Sequence, residues 1–268
     1  VDEEVVARFE EAASKQWNIV KNASLSEIRE NADGSVTVVA KRTSENGEEL
    51  LEIPADAVLV ATGRRPNTDT LNAKNYFDVQ DGGQLSVDKY QRVLYNGAPV
   101  PGVYALGDVS SRYQLKHVAN HEARVVQHNL SHPDDLRASD HRYVPGAVFS
   151  NPQIAMVGMT EEQARQAAER EGFEITVKAQ NFGDTAYGWA MEDKIGLCKL
   201  IARKDNGELL GAHLVGEESS VLIQPLLQAM SFGMDARTLA RGQYWIHPAL
   251  TEIVENALLG LEFDEPAN

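Results

Sequence analysis

Apolar residues spaced three and four apart open the chain. Val5, Val6, Phe9, Ala12 and Ala13 fall on one face behind an acidic start and predict a helix over residues 2–16. The period then shortens. Asp33-Gly34 reads as a hairpin turn into the alternating segment 35–41, and the turn 45–48 leads into Leu50-Leu51-Glu52-Ile53, an antiparallel meander. Residues 56–61 are almost continuously apolar, the pattern of a short strand buried in a parallel sheet, and end at Thr62-Gly63. A turn at Asp81-Gly82-Gly83 precedes a strand over 84–87, and a second apolar strand, 103–106, ends at Gly107-Asp108. Helical spacing returns over 117–130, with Val118, Val125 and Leu130 among its apolar positions. A polar stretch from Ser131 to about Asp140 follows and predicts a domain boundary.

Beyond it the pattern is that of an α+β module. Strands are predicted at 147–149, 154–158, 174–179, 196–202 and 209–215, the last two joined by the turn Asp205-Asn206-Gly207. Helices are predicted over 161–171, with Thr160 as N-cap, over 219–232, and briefly from Asp235. The last helix carries apolar residues at Leu250, Ile253, Val254, Ala257 and Leu258, with Gly260 as its stop. Pro248 suits the first helical position, which makes His247 the N-cap. From there the imidazole can fold over the first turn to Glu252, a pairing in which the carboxylate orients the ring and favours its charged form. The simpler reading is a capping histidine packed beside Tyr244 and Trp245.

Composition narrows the choice. At 268 residues the chain is long enough for two or three modules, and no apolar run is long enough to span a bilayer. A net charge of −15 argues against nucleic acid and against anionic membrane surfaces. One cysteine excludes an internal disulfide framework and fits a reducing, cytoplasmic setting. The acidic N-terminus does not read as a signal peptide, and the chain, lacking an initiating methionine, reads as processed or as a fragment.

Two strand ends carry ligand chemistry: Ala61-Thr62-Gly63-Arg64-Arg65 and Leu106-Gly107-Asp108-Val109. Ligands bind at the carboxyl ends of strands in open α/β sheets, glycine allows close backbone approach, and an aspartate can accept from a ribityl or ribose hydroxyl. Each alone reads equally as a turn glycine with a helix-capping aspartate. Arg64-Arg65 reads as a phosphate contact or a solvated loop. His117, His121 and His128 share a helix, but no third ligand accompanies the first two, so no metal site is expected.

Taken together, these two strand ends and the His247-Pro248…Glu252 segment resemble the C-terminal part of the flavin-dependent disulfide reductases of the glutathione reductase and lipoamide dehydrogenase superfamily. Within it, residues 242–250 and 107–122 are most similar to the mycothione-reducing branch, and dihydrolipoamide dehydrogenases share the layout. The resemblance implies a two-dinucleotide-domain architecture. Residues 1–66 would close an NAD(P)-binding domain of α/β type, 67–140 would be a second segment of an FAD-binding domain, and 141–268 an α+β dimerisation domain. It implies FAD and NADPH as cofactors, a low-molecular-weight disulfide as substrate, and a homodimer. Asp108, behind Gly107, would bind the ribityl chain. Backbone groups of Leu115, Lys116 and His117 would face the flavin ring, and Thr62 and Gly63 would lie near the nicotinamide cofactor. His247 would act as general acid toward a departing thiolate in the partner's site, with Glu252 holding its ring.

The superfamily's N-terminal FAD-binding glycine motif, its CxxxxC cysteine pair and its nicotinamide-binding glycine motif do not occur in these residues. Cys198 lies in an alternating strand pattern and reads as a buried, inert thiol. Alternatives are therefore a fragment of a dihydrolipoamide dehydrogenase and a catalytically silent dimerisation module.

Overall fold

The computed structural model describes residues 1–45 and 47–264, in two compact units: 13–65, and 1–12 together with the described residues from 66 on. Asn46, inside the predicted turn 45–48, lies outside the described residues.

The smaller unit is an antiparallel meander of β1 (Ala23–Glu30), β2 (Val36–Ser44) and β3 (Gly47–Ala55). Its first hairpin closes at Asp33-Gly34, where Asp33 Oδ1 accepts from the backbone N–H of Ser35 at 3.0 Å and Gly34 takes φ +84°. The predicted strand over 56–61 does not form. These residues are irregular and exposed, Leu59 to 90%. A parallel strand is stabilised only by ladder partners and by cover on both faces. Among the described residues every strand pair is antiparallel, and none includes residues 56–61.

The larger unit is built on a five-stranded antiparallel sheet, order β6-β7-β10-β9-β8. Its strands are β6 (Gly146–Val148), β7 (Gln153–Gly158), β8 (Ile175–Asn181), β9 (Leu197–Arg203) and β10 (Leu209–Gly216). Side chains alternate between its faces. Cys198, Leu200 and Ala202 of β9, with Ala212 and Leu214 of β10, face one core. That core is completed by α5 (Ser219–Leu222), α6 (Gln224–Phe232), α7 (Ala236–Arg241) and α8 (Glu252–Leu259). Leu197 and Val215 face the other way, against Val5 and Phe9 of α1 (Glu3–Ala13). With cover on both faces, β9 and β10 are buried almost throughout, which is why they read as apolar runs.

The sequence grouped residues 1–12 with the meander, but they pack on this sheet. Their apolar stripe finds Ile154, Leu197 and Val215, and their acidic start finds a buried cation. Lys199 Nζ lies 2.9 Å from Asp2, 3.2 Å from Glu4 and 2.7 Å from Glu161. Burial alone pushes the ammonium toward its neutral form; hydrogen bonds to Glu161 and Asp2 more than offset this and hold its pKa above the usual lysine value.

Glu161 opens α3 (Glu161–Glu171), capped as expected: Thr160 Oγ1 accepts from Gln163 N–H while the Gln163 side chain accepts from Thr160 N–H. The predicted helix 219–232 is divided at Ile223, with Pro225 in the first turn of α6.

Residues 66–109 of this unit hold a second, small core of Ala73, Leu85, Val93 and Ala105 around the hairpin of β4 (Arg92–Tyr95) and β5 (Ala98–Tyr104). The strand expected over 84–87 is reduced to isolated bridges, Val79 to Leu85 and Val87 to Val93. Helix α2 (Lys116–Ser131) buries Val118, Val125 and Val126, whereas Leu130, also among its apolar positions, is 59% exposed. Its buried stripe continues at Asn129, whose amide bonds Tyr90 and Arg137 backbone. No helix among the described residues is long and apolar enough to cross a membrane.

Candidate active site

The segment before α8 places the acid–base pair. Backbone bonds from Glu252 to Ala249, Ile253 to Leu250 and Val254 to Thr251 each span three residues, so the chain enters the helix through a tight turn. The α-helix proper starts at Glu252, with Thr251 at the N-cap. His247 is therefore not the N-cap and Pro248 is not the first helical residue; both precede the turn, joined by a cis peptide bond. The pairing survives this change. His247 Nδ1 lies 2.7 Å from Glu252 Oε1, and Glu252 Oε2 accepts from Ala249 N–H at 3.3 Å. Hydrogen bonding to His247 holds the Glu252 carboxyl below its ordinary range; slight burial opposes this, and the Ala249 N–H adds to it.

The capping alternative named Tyr244 and Trp245 as packing partners. Tyr244 is fully exposed, and Trp245 turns into the core, donating from Nε1 to Ala240 O at 2.9 Å. The imidazole instead borders an open groove with Pro248, Thr185, Tyr187 and Trp189. That groove's wall, α4 (Ala186–Ala190), packs tightly: a Cβ on Gly188 would fall 1.9 Å from Phe182 O.

The flavin-type residues lie at the turn and helix that follow β5. Gly107 is buried at φ +69°, and its Cα approaches α2 so closely that a Cβ would meet Ala119 Cβ at 3.1 Å. Asp108, next in the turn, is exposed. Leu115 is the N-cap of α2, and its own side chain makes no capping hydrogen bond. Leu115, Lys116 and His117 border a cleft of about 750 Å³ whose lining also includes Tyr143, Phe149, Ile223 and Leu227. A buried glycine against a helix, an exposed carboxylate beside it and a helix N-terminus on a large apolar cleft suit a polyhydroxylated chain carrying an aromatic ring. The residues present fit a flavin.

Thr62 and Gly63 are exposed irregular backbone in the meander unit. His247 borders a different recess from Leu115, Lys116 and His117. The α2 histidines serve structure: His117 Nε2 meets Pro145 O at 2.9 Å, His121 accepts from Asp140 N–H, and His128 meets Asp135. Cys198 is fully buried, which pushes its thiol pKa up to about 12.

One residue escaped sequence reasoning. Glu122, 1% exposed, accepts from Gly107 N–H at 2.6 Å and faces His141 Nε2 at 3.0 Å. A signal existed: an acidic residue four places after Val118 falls on the buried stripe of α2.

Residues 1–123 match the family described as pyridine nucleotide-disulphide oxidoreductase, and residues 144–258 match its dimerisation domain. Mycothione reductase of Mycobacterium tuberculosis is 51% identical over 265 residues, which cover 97% of this chain and 54% of that protein. Dihydrolipoyl dehydrogenase 2, chloroplastic, of Arabidopsis thaliana is 32% identical over 91% of this chain and 42% of its own length. The HOCl-induced flavoprotein disulfide reductase RclA of Escherichia coli superposes with a TM-score of 0.80 at 27% identity, covering 97% of this chain and 56% of that structure. The chain spans about half the length of the relatives it matches. It belongs to the pyridine nucleotide-disulphide oxidoreductases, a family of enzymes.

Proposed function

We propose that this chain supplies the acid–base pair, part of the flavin site and the dimerisation domain of an NADPH-driven reductase that converts mycothione to mycothiol. The observation that carries the reading is the His247–Glu252 pair, an oriented imidazole beside an open groove. Identity of 51% to a mycothione reductase supports the substrate.

In this reading the meander within residues 1–66 belongs to the NADPH-binding domain, where Thr62 and Gly63 approach the nicotinamide cofactor, 67–140 to the FAD-binding domain, and 141–268 to the dimer interface. Gly107 and Asp108 hold the ribityl chain, and the α2 N-terminus at Leu115, Lys116 and His117 faces the ring, its positive end favouring negative charge there. Bound FAD supplies transfer of the nicotinamide hydride's electron pair to a disulfide. Cys198 is one buried thiol, so this reading requires a reacting dithiol that these 268 residues do not supply.

The chain's own chemical step is a proton transfer. Glu252 engages Nδ1, which leaves Nε2 to face substrate. A thiolate leaving a disulfide is a better leaving group once protonated, and His247 delivers that proton into the partner subunit's site. The exposed ring suits reaching across a dimer. A single buried cysteine suits a reducing, cytoplasmic compartment.

Relatives that are dihydrolipoyl dehydrogenases, about a third identical, favour a second reading in which the same pair serves lipoamide. Turnover of the flavin-loaded enzyme with mycothione and with lipoamide decides. Faster reduction of mycothione is expected; activity confined to lipoamide would overturn the assignment.

A further inference from the structure

Glu122 stands apart from the acid–base pair and holds a buried negative charge. Its Oε2 accepts from the Gly107 N–H at 2.6 Å, a short charge-assisted contact, and its Oε1 faces His141 Nε2 at 3.0 Å. A carboxylate only accepts, so Nε2 carries the proton. Burying such a charge is costly unless each oxygen is engaged, and here each has a partner.

Both partners are distant in sequence. Gly107 opens the turn that presents Asp108, and its carbonyl accepts from Ser110 and Ser111 N–H at 3.0 and 2.7 Å, which closes the turn. His141 lies in the connection to the dimerisation domain. Its ring packs against Tyr113 at 5.6 Å, and Tyr113 sits in the loop between that turn and α2. Glu122 thus ties together the Asp108 turn, the body of α2 and the connection at His141.

We infer that Glu122 is a positioning residue for the flavin, fixing the Gly107–Asp108 turn against α2 before the cofactor arrives, with His141 holding the carboxylate in place. The inference rests on the flavin reading of Asp108 and α2.

The test is FAD affinity of the reconstituted enzyme by flavin fluorescence, with the visible circular dichroism of bound flavin as a second readout. Glu122→Ala is expected to raise the Kd for FAD by about tenfold, the effect of losing one hydrogen bond to a charged group, and to alter the flavin dichroism. Glu122→Gln keeps an acceptor for Gly107 and should restore most of the affinity. A Glu122→Ala protein with less than about a threefold change and an unaltered flavin spectrum, even if less stable, would overturn the inference, since one hydrogen bond must show. Should Glu122→Ala not fold, His141→Phe decides on the same about threefold threshold. Asp108→Ala separates the two claims. If it binds FAD normally, the flavin reading itself fails; if it weakens FAD while Glu122→Ala does not, only the positioning role fails.

Discussion

Nδ1 of His247 lies 2.7 Å from Oε1 of Glu252, and the two side chains are unequally exposed, 67% for the imidazole and 16% for the carboxylate. The carboxylate is fixed at the first turn of α8 and the ring is presented outward. An anchored base holding an exposed acid is the geometry expected of a group that works on something outside its own chain.

Glu252→Gln keeps the shape and removes the charge. Turnover should fall on the order of tenfold or more, as for loss of the group that orients a general acid, with KM little changed. The acid side of the stability profile should change as well. The Glu252 carboxyl is depressed in the folded protein, chiefly by its hydrogen bond to His247. Its contribution is therefore present above the unfolded value of about 4.3 and is lost as pH falls through the folded value. Thermal unfolding from pH 6 down to pH 3 should be less steep in Glu252→Gln than in the parent. Identical slopes would mean that the pair contributes nothing in solution.

Cys198 should be silent to thiol reagents. Burial pushes its pKa up to about 12, so almost no thiolate exists at neutral pH, and the residue is wholly shielded from solvent. Ellman's reagent should label it only at the rate of global unfolding. Fast labelling of the native protein would contradict the inert assignment and reopen a redox role.

His213 gives a pH dependence of known sign. Its Nε2 meets Met159 O at 2.8 Å, while Nδ1 is buried without a hydrogen-bond partner. Burial pushes its pKa below the ordinary histidine value, and the hydrogen bond to Met159 only partly opposes this. Below about pH 6.5 the unfolded chain takes up a proton that the folded one refuses, so stability falls as pH falls. The Tm should drop between pH 7.5 and 5, and His213→Asn should flatten that part of the curve. An unchanged slope would show that His213 does not carry it.

What the sequence revealed follows from how local each signal is. The Thr160…Gln163 cap and the Asp205-Asn206-Gly207 turn lie within a few residues, and both stand where the pattern put them. His247 and Glu252 are five residues apart, so their meeting was legible even though the local geometry was not. The pattern supplied a proline and apolar spacing, but a three-residue-spaced turn delays the helix to Glu252. The segment 56–61 shows the limit of periodicity. Its apolar run reports what those side chains would prefer, and a strand needs a partner that no sequence window contains.

The partners of Glu122 were illegible for a related reason. They are fifteen residues upstream and nineteen downstream, and nothing in the helix announces either one. The place of Glu122 on the buried stripe of α2 was visible, and a charge there implies a partner. The packing of residues 1–12 was missed in the same way. An amphipathic helix declares that it will bury a face, not which surface receives it.

The most direct test of the central claim is a stopped-flow comparison of His247→Ala with the parent enzyme, flavin-loaded and of its relatives' full length. Reduction of the disulfide substrate should slow by about 10²- to 10⁴-fold, the range for losing a general acid, while oxidation of the nicotinamide cofactor keeps its rate. Equal slowing of both half-reactions would contradict the assignment of His247 as the proton donor.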